Sequence, residues 1–219
     1  MASSRGPFEP EFSELPRQIP LFPLGGALLL PGGKLPLNIF EPRYLSMIRD
    51  SLSQPHRIIG MIQPMSDLSS SDLYQIGCAG RISNYAESDD GRLLITLSGT
   101  IRFRLADRHE VDDGYIMADV TWSEFKDDLQ PDMAPIQRDT LIHNLRRYFD
   151  LKGFTAEWEH IEECENERLV TTLSMICPFD IPEKQALLEA PNLAERAKLL
   201  IAILDMASHP DGDEGSKKH

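Results

Sequence analysis

Cysteine is scarce in this chain and poorly spaced for chemistry. Cys78, Cys164 and Cys177 are odd in number, far apart and free of any CxxC pair, so neither a disulfide framework nor a zinc ribbon is indicated, and a reducing cytoplasm fits best. Long apolar runs are missing too. The richest one, Leu21 to Leu30, is broken by Pro23, Gly25 and Gly26, which excludes a membrane span, and the amino terminus MASSRGPFEPEFSEL has no basic region leading into an apolar core, which excludes a signal peptide. Positive charge is in deficit. The chain carries 22 Lys and Arg against 35 Asp and Glu, a formal net charge of −13 over 219 residues. That balance argues against general nucleic-acid binding, because an acidic field repels phosphate backbones. The deficit lies mostly in the carboxyl-terminal half: residues 1–17 sum to −1, residues 18–123 to −3 and residues 124–219 to −9.

Catalytic signatures are absent in the same way. A nucleotide-binding P-loop needs backbone amides around the phosphates, a lysine, and a hydroxyl for magnesium. Gly32-Gly33-Lys34 is instead followed by Leu35, and the glycines here are turn residues. No Gly-x-Ser-x-Gly elbow and no HExxH occurs, and a serine run such as Ser69 to Ser71 reads as loop. His160 and Cys164, four apart with Glu157 and Glu163 close by, could share one face of a helix, but two further zinc ligands are not indicated, so no metal and no cofactor is expected.

What the chain does have is a change of period. Residues 1–17 are polar and proline-bearing and read as a flexible arm. From residue 18 to residue 125 the signals are those of strands. Ile58 to Ile62 is a continuous apolar run, as in a strand covered on both faces. Leu93, Ile95 and Leu97 alternate with Arg92, Leu94 and Thr96; Ile101, Phe103 and Leu105 alternate with arginines; Ile116, Ala118, Val120 and Trp122 form a third alternating run. Asp90-Gly91 and Asp113-Gly114 supply turns that tolerate positive φ. One helix interrupts this region, opened by Pro42 and carrying Leu45, Ile48 and Leu52, and would lie across one mouth of a barrel. From 126 to 207 the period is helical: Leu141, Leu145 and Tyr148 form one stripe and Leu169, Leu173 and Ile176 another. A short helix follows over Glu183 to Ala190, and a last one is capped by Asn192 with Glu195 three residues on. Residues 208–219 read as a flexible tail. The predicted class is α+β, a β-rich domain followed by an α-helical one.

Three segments carry a family likeness: IPLFPLGGALLLPGGKLPLNIFEPRYLSMIRDSL from Ile19 to Leu52, RIIGMIQP from Arg57 to Pro64, and LYQIGCAGRISNYAESDDGRLLITLSGTIRFRL from Leu73 to Leu105. With the helical remainder to Leu204, the chain resembles the amino-terminal substrate-binding domain of the ATP-dependent protease Lon, and the form IFEPRY of Ile39 to Tyr44 looks closer to free-standing bacterial members. The resemblance implies a PUA-like β pseudobarrel followed by an α-helical bundle. It implies a partner rather than a reaction: unfolded or partner polypeptides, since in Lon the chemistry belongs to ATPase and Ser-Lys peptidase domains downstream, neither of which precedes the end of this chain at His219.

An unfolded segment offers apolar side chains and unpaired backbone groups, so its receptor needs an apolar groove or a free strand edge. Phe22, Leu24, Leu29, Leu30, Phe40, Glu41, Arg43 and Tyr44 are the candidates to form it, each weighed against the plainer role of core residue or, for Arg43, ion pair with Glu41. Two other readings stay open. PUA-like folds elsewhere bind RNA or small ligands, and Arg102, Arg104 and Arg108 could form a basic strip, although no aromatic residues interleave them and pairing with acids such as Asp107 is the simpler account. A purely structural subunit with one fixed partner is the third.

Overall fold

The computed structural model describes residues 10–66 and 69–208, with the side chains of residues 66–71 outside the described set. Eight strands and six α-helices follow in order: β1 (Gln18–Pro23), β2 (Lys34–Ile39), α1 (Pro42–Ser53), β3 (Ile58–Ile62), β4 (Pro64–Ser66), β5 (Ser69–Leu73), β6 (Ile76–Glu87), β7 (Leu93–Glu110), β8 (Ile116–Thr121), α2 (Arg138–Lys152), α3 (Trp158–Glu163), α4 (Asn166–Ile176), α5 (Ile181–Glu189) and α6 (Leu193–Ala207). The fold is α+β, as the sequence implies. The main sheet runs β2-β7-β6-β3-β1-β8, and β8 pairs back onto β7, so five strands close into a barrel while β2 stays outside it. The serine run 69–71, expected as loop, belongs to β5, which pairs with β4.

Two strands expected over 93–97 and 101–105 are one strand of 18 residues, β7. Its first half pairs with β2 and β6, and its second half with β6 and β8. The alternation breaks at Gly99, where a Cβ would stand 2.0 Å from the Leu30 carbonyl oxygen, so the strand passes under the loop there without ending. β3 is buried at every position, as its unbroken apolar run requires. The helix α1 starts at Pro42 and buries Tyr44, Met47, Ile48 and Ser51. Leu45 and Leu52 are half-buried, so the stripe sits one residue away from the expected one.

Of the amino-terminal segment read as an arm, residues 1–9 lie outside the described set. Residues 12–14 form a 3-10 turn closed by a reciprocal Glu11–Glu14 capping box, Leu15 is buried, and the Pro16 carbonyl accepts a hydrogen bond from the Trp122 indole at 2.9 Å. The tail read from 208 onward is described only at Ser208, which is buried and donates to the Leu204 carbonyl. In the helical part Leu141, Leu145, Tyr148, Leu169 and Leu173 face the core, but Ile176 is 64% exposed, because α4 ends there and its last turn leaves the stripe. The helix expected over Glu183 to Ala190 starts earlier, at Ile181, with Pro182 in its first turn and an Asp180–Glu183 capping box. Asn192 caps α6 by accepting from the Glu195 amide at 2.9 Å.

Barrel and helices meet at a polar seam centred on Arg102 of β7. The residue expected on an exposed basic strip is buried, and its partner is Asp128, not Asp107. Nε and Nη2 grip the two Asp128 oxygens at 2.9 and 2.7 Å, Nη1 donates to the Leu188 and Ala190 carbonyls at 3.0 and 2.7 Å, and Nη2 reaches Pro191 O at 3.3 Å. Three of these acceptors lie at or just beyond the carboxyl end of α5, where carbonyls lack helical partners. Gln63, Gln185 and Lys184 add further ties, the last donating to Gly26 O at 2.5 Å. Replacing Arg102 with Met leaves Asp128 buried without its counter-charge. We expect a loss of about 3–5 kcal/mol in urea unfolding, whereas Arg104→Met, which breaks an exposed pair with Glu124, leaves the midpoint where it was.

Candidate functional site

The eight sequence candidates separate by burial. Phe22, Leu29, Leu30 and Tyr44 are core residues; Phe22 and Tyr44 stack in a tilted pair with ring centroids 4.3 Å apart, and Leu29 and Leu30 fill the space over Gly80 and Gly99. They form no open groove, because burying such side chains is what holds the barrel wall to its loop. Leu24 is half-buried at the start of that loop, its amide donating to the Ile62 carbonyl. Phe40 is different: it is 62% exposed, directly after β2. Glu41 and Arg43 lie beside it and pair with each other at 2.9 Å, and the Arg43 guanidinium also covers the Tyr44 ring.

The register shows what surrounds Phe40. Asn38 of β2 and Ala86 of β6 both pair with Leu94 of β7, so these three share one face of the outer sheet, and Phe40 follows Asn38 by two residues on the same side. Leu94 is 49% exposed. The Arg92 guanidinium lies 5.7 Å from the Phe40 ring centroid, which fixes one flank of the ring. Phe40 and Leu94 thus form an exposed apolar spot on the lobe that projects from the barrel. Leu94 is not among the eight sequence candidates, yet the alternation carries its signal: it is the one apolar residue in the outward-facing set Arg92, Leu94, Thr96.

The chemistry available elsewhere is limited. Burial raises both core thiols, Cys177 to about 12 and Cys78 further, so neither is a thiolate at neutral pH. His160 bonds to Glu157 at 2.6 Å on the exposed side of α3, and among the described residues no three His, Cys, Asp or Glu side chains are grouped to hold a metal. A seam cleft of about 300 Å³ is lined by Arg102, Asp128, Asp132, Glu167 and Arg196. Its cations are committed: Arg196 donates to Leu187 O at 2.8 Å, and burial, with the neighbouring Arg102 charge, lowers it to about 10. A wider groove of about 460 Å³ between α2 and α3 holds Arg138, Ile142, His143, Arg146 and Glu162, with Arg146 paired to Glu162 and laid over Trp158. Neither place joins a nucleophile to a base. Among the described residues no helix is long and apolar enough to cross a membrane.

Residues 18–206 match the family described as the ATP-dependent protease La (LON) substrate-binding domain. The chain belongs to that family. Its Lon relatives include the Lon protease of Parabacteroides distasonis, 29% identical over 198 residues, and that of Brevibacillus choshinensis, 22% identical over 195 residues. These matches cover 85% and 86% of the chain but only 24% and 25% of those relatives, so the chain spans about a quarter of their length. Among solved structures it resembles the Lon N-terminal domain protein of Xanthomonas campestris at 25% identity and a TM-score of 0.59, over 84% of this chain and 97% of that one. The N-terminal domain of a Mycobacterium avium complex Lon protease shares the fold at 15% identity and a TM-score of 0.62, over 85% and 97%. The Lon substrate-binding fold thus accounts for both the barrel and the helices.

Separating surface from core gives a direct check. Phe40→Ser and Leu94→Ser should each shift the thermal midpoint by only a degree or two at ~0.5 kcal/mol, since both side chains are largely open to water and neither fills the core. Leu30→Ala should cost about 2–5 kcal/mol in urea unfolding, the range for a fully buried leucine.

Proposed function

We propose that this protein is a non-catalytic, cytoplasmic polypeptide-binding factor that serves protein quality control as an adaptor, contacting its clients through the Phe40–Leu94 surface with Glu41 and Arg43 at the rim. The family match over residues 18–206 carries this reading, because the family is described by the binding of substrate to a protease. The surface adds physical support. An aromatic ring and a leucine held out on a projecting sheet expose apolar area that an unfolded segment can cover, and the paired Glu41 and Arg43 offer hydrogen bonds without imposing one sign of charge. Leu24 and the buried Phe22, Leu29, Leu30 and Tyr44 act behind this surface, by setting the loop and the helix that hold Phe40 out.

The RNA alternative loses its main support, because Arg102 is sealed in the seam and Arg104 is paired with Glu124. Fluorescence anisotropy with labelled, carboxymethylated lactalbumin and with a labelled RNA of similar length separates the readings. The unfolded protein should bind saturably at both low and high salt, and the double variant Phe40→Ser, Leu94→Ser should weaken it about tenfold, equal to ~1.4 kcal/mol. Binding of RNA alone, with steep salt dependence, would overturn the proposal.

A further inference from the structure

We infer that the free edge of β2 takes up an extended, uncharged apolar segment of the bound polypeptide as an added strand, an inference that rests on the polypeptide-binding reading and specifies how it is done. β2 pairs with β7 on one side and, among the described residues, with no strand on the other. The direction of its backbone groups follows from the ladder. The Gly99 amide donates to the Gly33 carbonyl at 2.8 Å, so Gly33 faces β7, and by the period of two so do Leu35, Leu37 and Ile39. Lys34, Pro36 and Asn38 therefore face outward. Pro36 agrees, since a residue without an N–H fits a ladder only where that position points away from the neighbour. The edge offers two donors, the amides of Lys34 and Asn38, and three acceptors, the carbonyls of Lys34, Pro36 and Asn38.

Charge selects the occupant. In a chain of net charge −13, residues 18–40 and 91–106 contain no Asp or Glu, and these stretches supply β2 and the half of β7 that pairs with it. An apolar segment meets no desolvated carboxylate along this edge, whereas a basic segment finds its complement elsewhere on the surface. Apolar residues mark both ends. Phe40 follows β2 at one end; at the other, a Cβ on Gly33 would strike Met175, and the next residue, Ile176, is exposed. Six strand residues span about 17 Å between those ends, the length of a short extended peptide. Pro36 removes the central donor, so the edge is blunted against pairing with its own copies but not against a partner that uses its acceptors.

Amide hydrogen exchange on the full chain, with and without carboxymethylated lactalbumin, tests this together with Asn38→Pro. That substitution deletes one outward donor and leaves the β7 ladder untouched. Strand addition predicts new protection at the amides of Lys34 and Asn38, with Leu35 and Leu37 unchanged, and affinity lower by about five- to tenfold in Asn38→Pro. Protection confined to other segments, with Asn38→Pro binding as well as the parent, overturns strand addition; if Phe40→Ser, Leu94→Ser then still weakens binding, the polypeptide reading stands without it. Absence of any lactalbumin binding to the parent chain overturns both. The exchange pattern in the parent chain decides the matter on its own if Asn38→Pro does not fold.

Discussion

One buried guanidinium holds the two halves of this molecule in register. Arg102 has five N–H donors, and all five are spent in six bonds: the single Nε–H is shared between the two Asp128 oxygens, Nη1 donates to Leu188 and Ala190, and Nη2 to Asp128 and Pro191. Its own backbone amide also donates to Asp128 at 2.9 Å. The side chain therefore ties β7, the 3-10 segment Ser123–Leu129 that follows β8, and the end of α5 through one charged group. A buried pair of this kind is a poor source of net stability compared with apolar packing, but breaking it is costly, because Asp128 is left buried without its counter-charge. Arg196 extends the arrangement, sharing the Ala190 carbonyl, and the nearby Asp128 and Asp132 charges partly offset the repulsion from the Arg102 guanidinium.

That seam decides which part of the sheet the helices cover. With α5 packed on β4 and β6 and tied to β7 through Arg102, the first half of β7 is left to pair with β2 and β6, while α1 packs against β1. The inward set Ile39, Leu93 and Ile95 is buried, and the outward set carries Leu94 and Ala86 with Phe40 at the corner. A loop from Leu24 to Gly33 closes the interior by sending Leu28, Leu29 and Leu30 inward, and its glycines let it turn: Gly26 and Gly32 both have φ near +75°. The apolar abundance of this stretch, conspicuous in the sequence, goes almost wholly into the core. Between Ile19 and Tyr44 the large apolar side chain left mostly exposed is Phe40, beyond the loop.

Much of this was legible before any coordinates. The switch from a period of two to a helical period near residue 125, the unbroken run of β3, the Pro42 start of α1 and the Asn192 cap each rest on local physics that tertiary structure had no reason to override. What was not legible involved partners distant in the chain. Arg102 alternates with apolar neighbours and so reads as an outward residue, yet Asp128 and the α5 carbonyls, far along the chain, turn it into a core residue. Ile176 fits its stripe in number, but the helix ends before the stripe is used. Leu29 and Leu30 are as apolar as Phe40, and only the loop path separates those that fill the barrel from the one that faces water. Periodicity reports which side of an element a residue takes; it carries no information on whether that side is covered.

The same constraint sets the strength of any complex made here. Five edge hydrogen bonds at about 1 kcal/mol each fall short of the ~8 kcal/mol of a micromolar complex even before the ordering of an unfolded segment is subtracted. In the proposed binding mode, covering Phe40 and Leu94 adds the ~1.4 kcal/mol that their loss is expected to cost, for segments that place an apolar side chain against them, so the complex stays weaker than micromolar. In that mode the edge recognises extended backbone and the apolar spot adds buried area, so the loss of either one weakens the complex. A complex of that strength, if it forms as proposed, dissociates quickly, because differences in affinity among related complexes lie mostly in the rate of release.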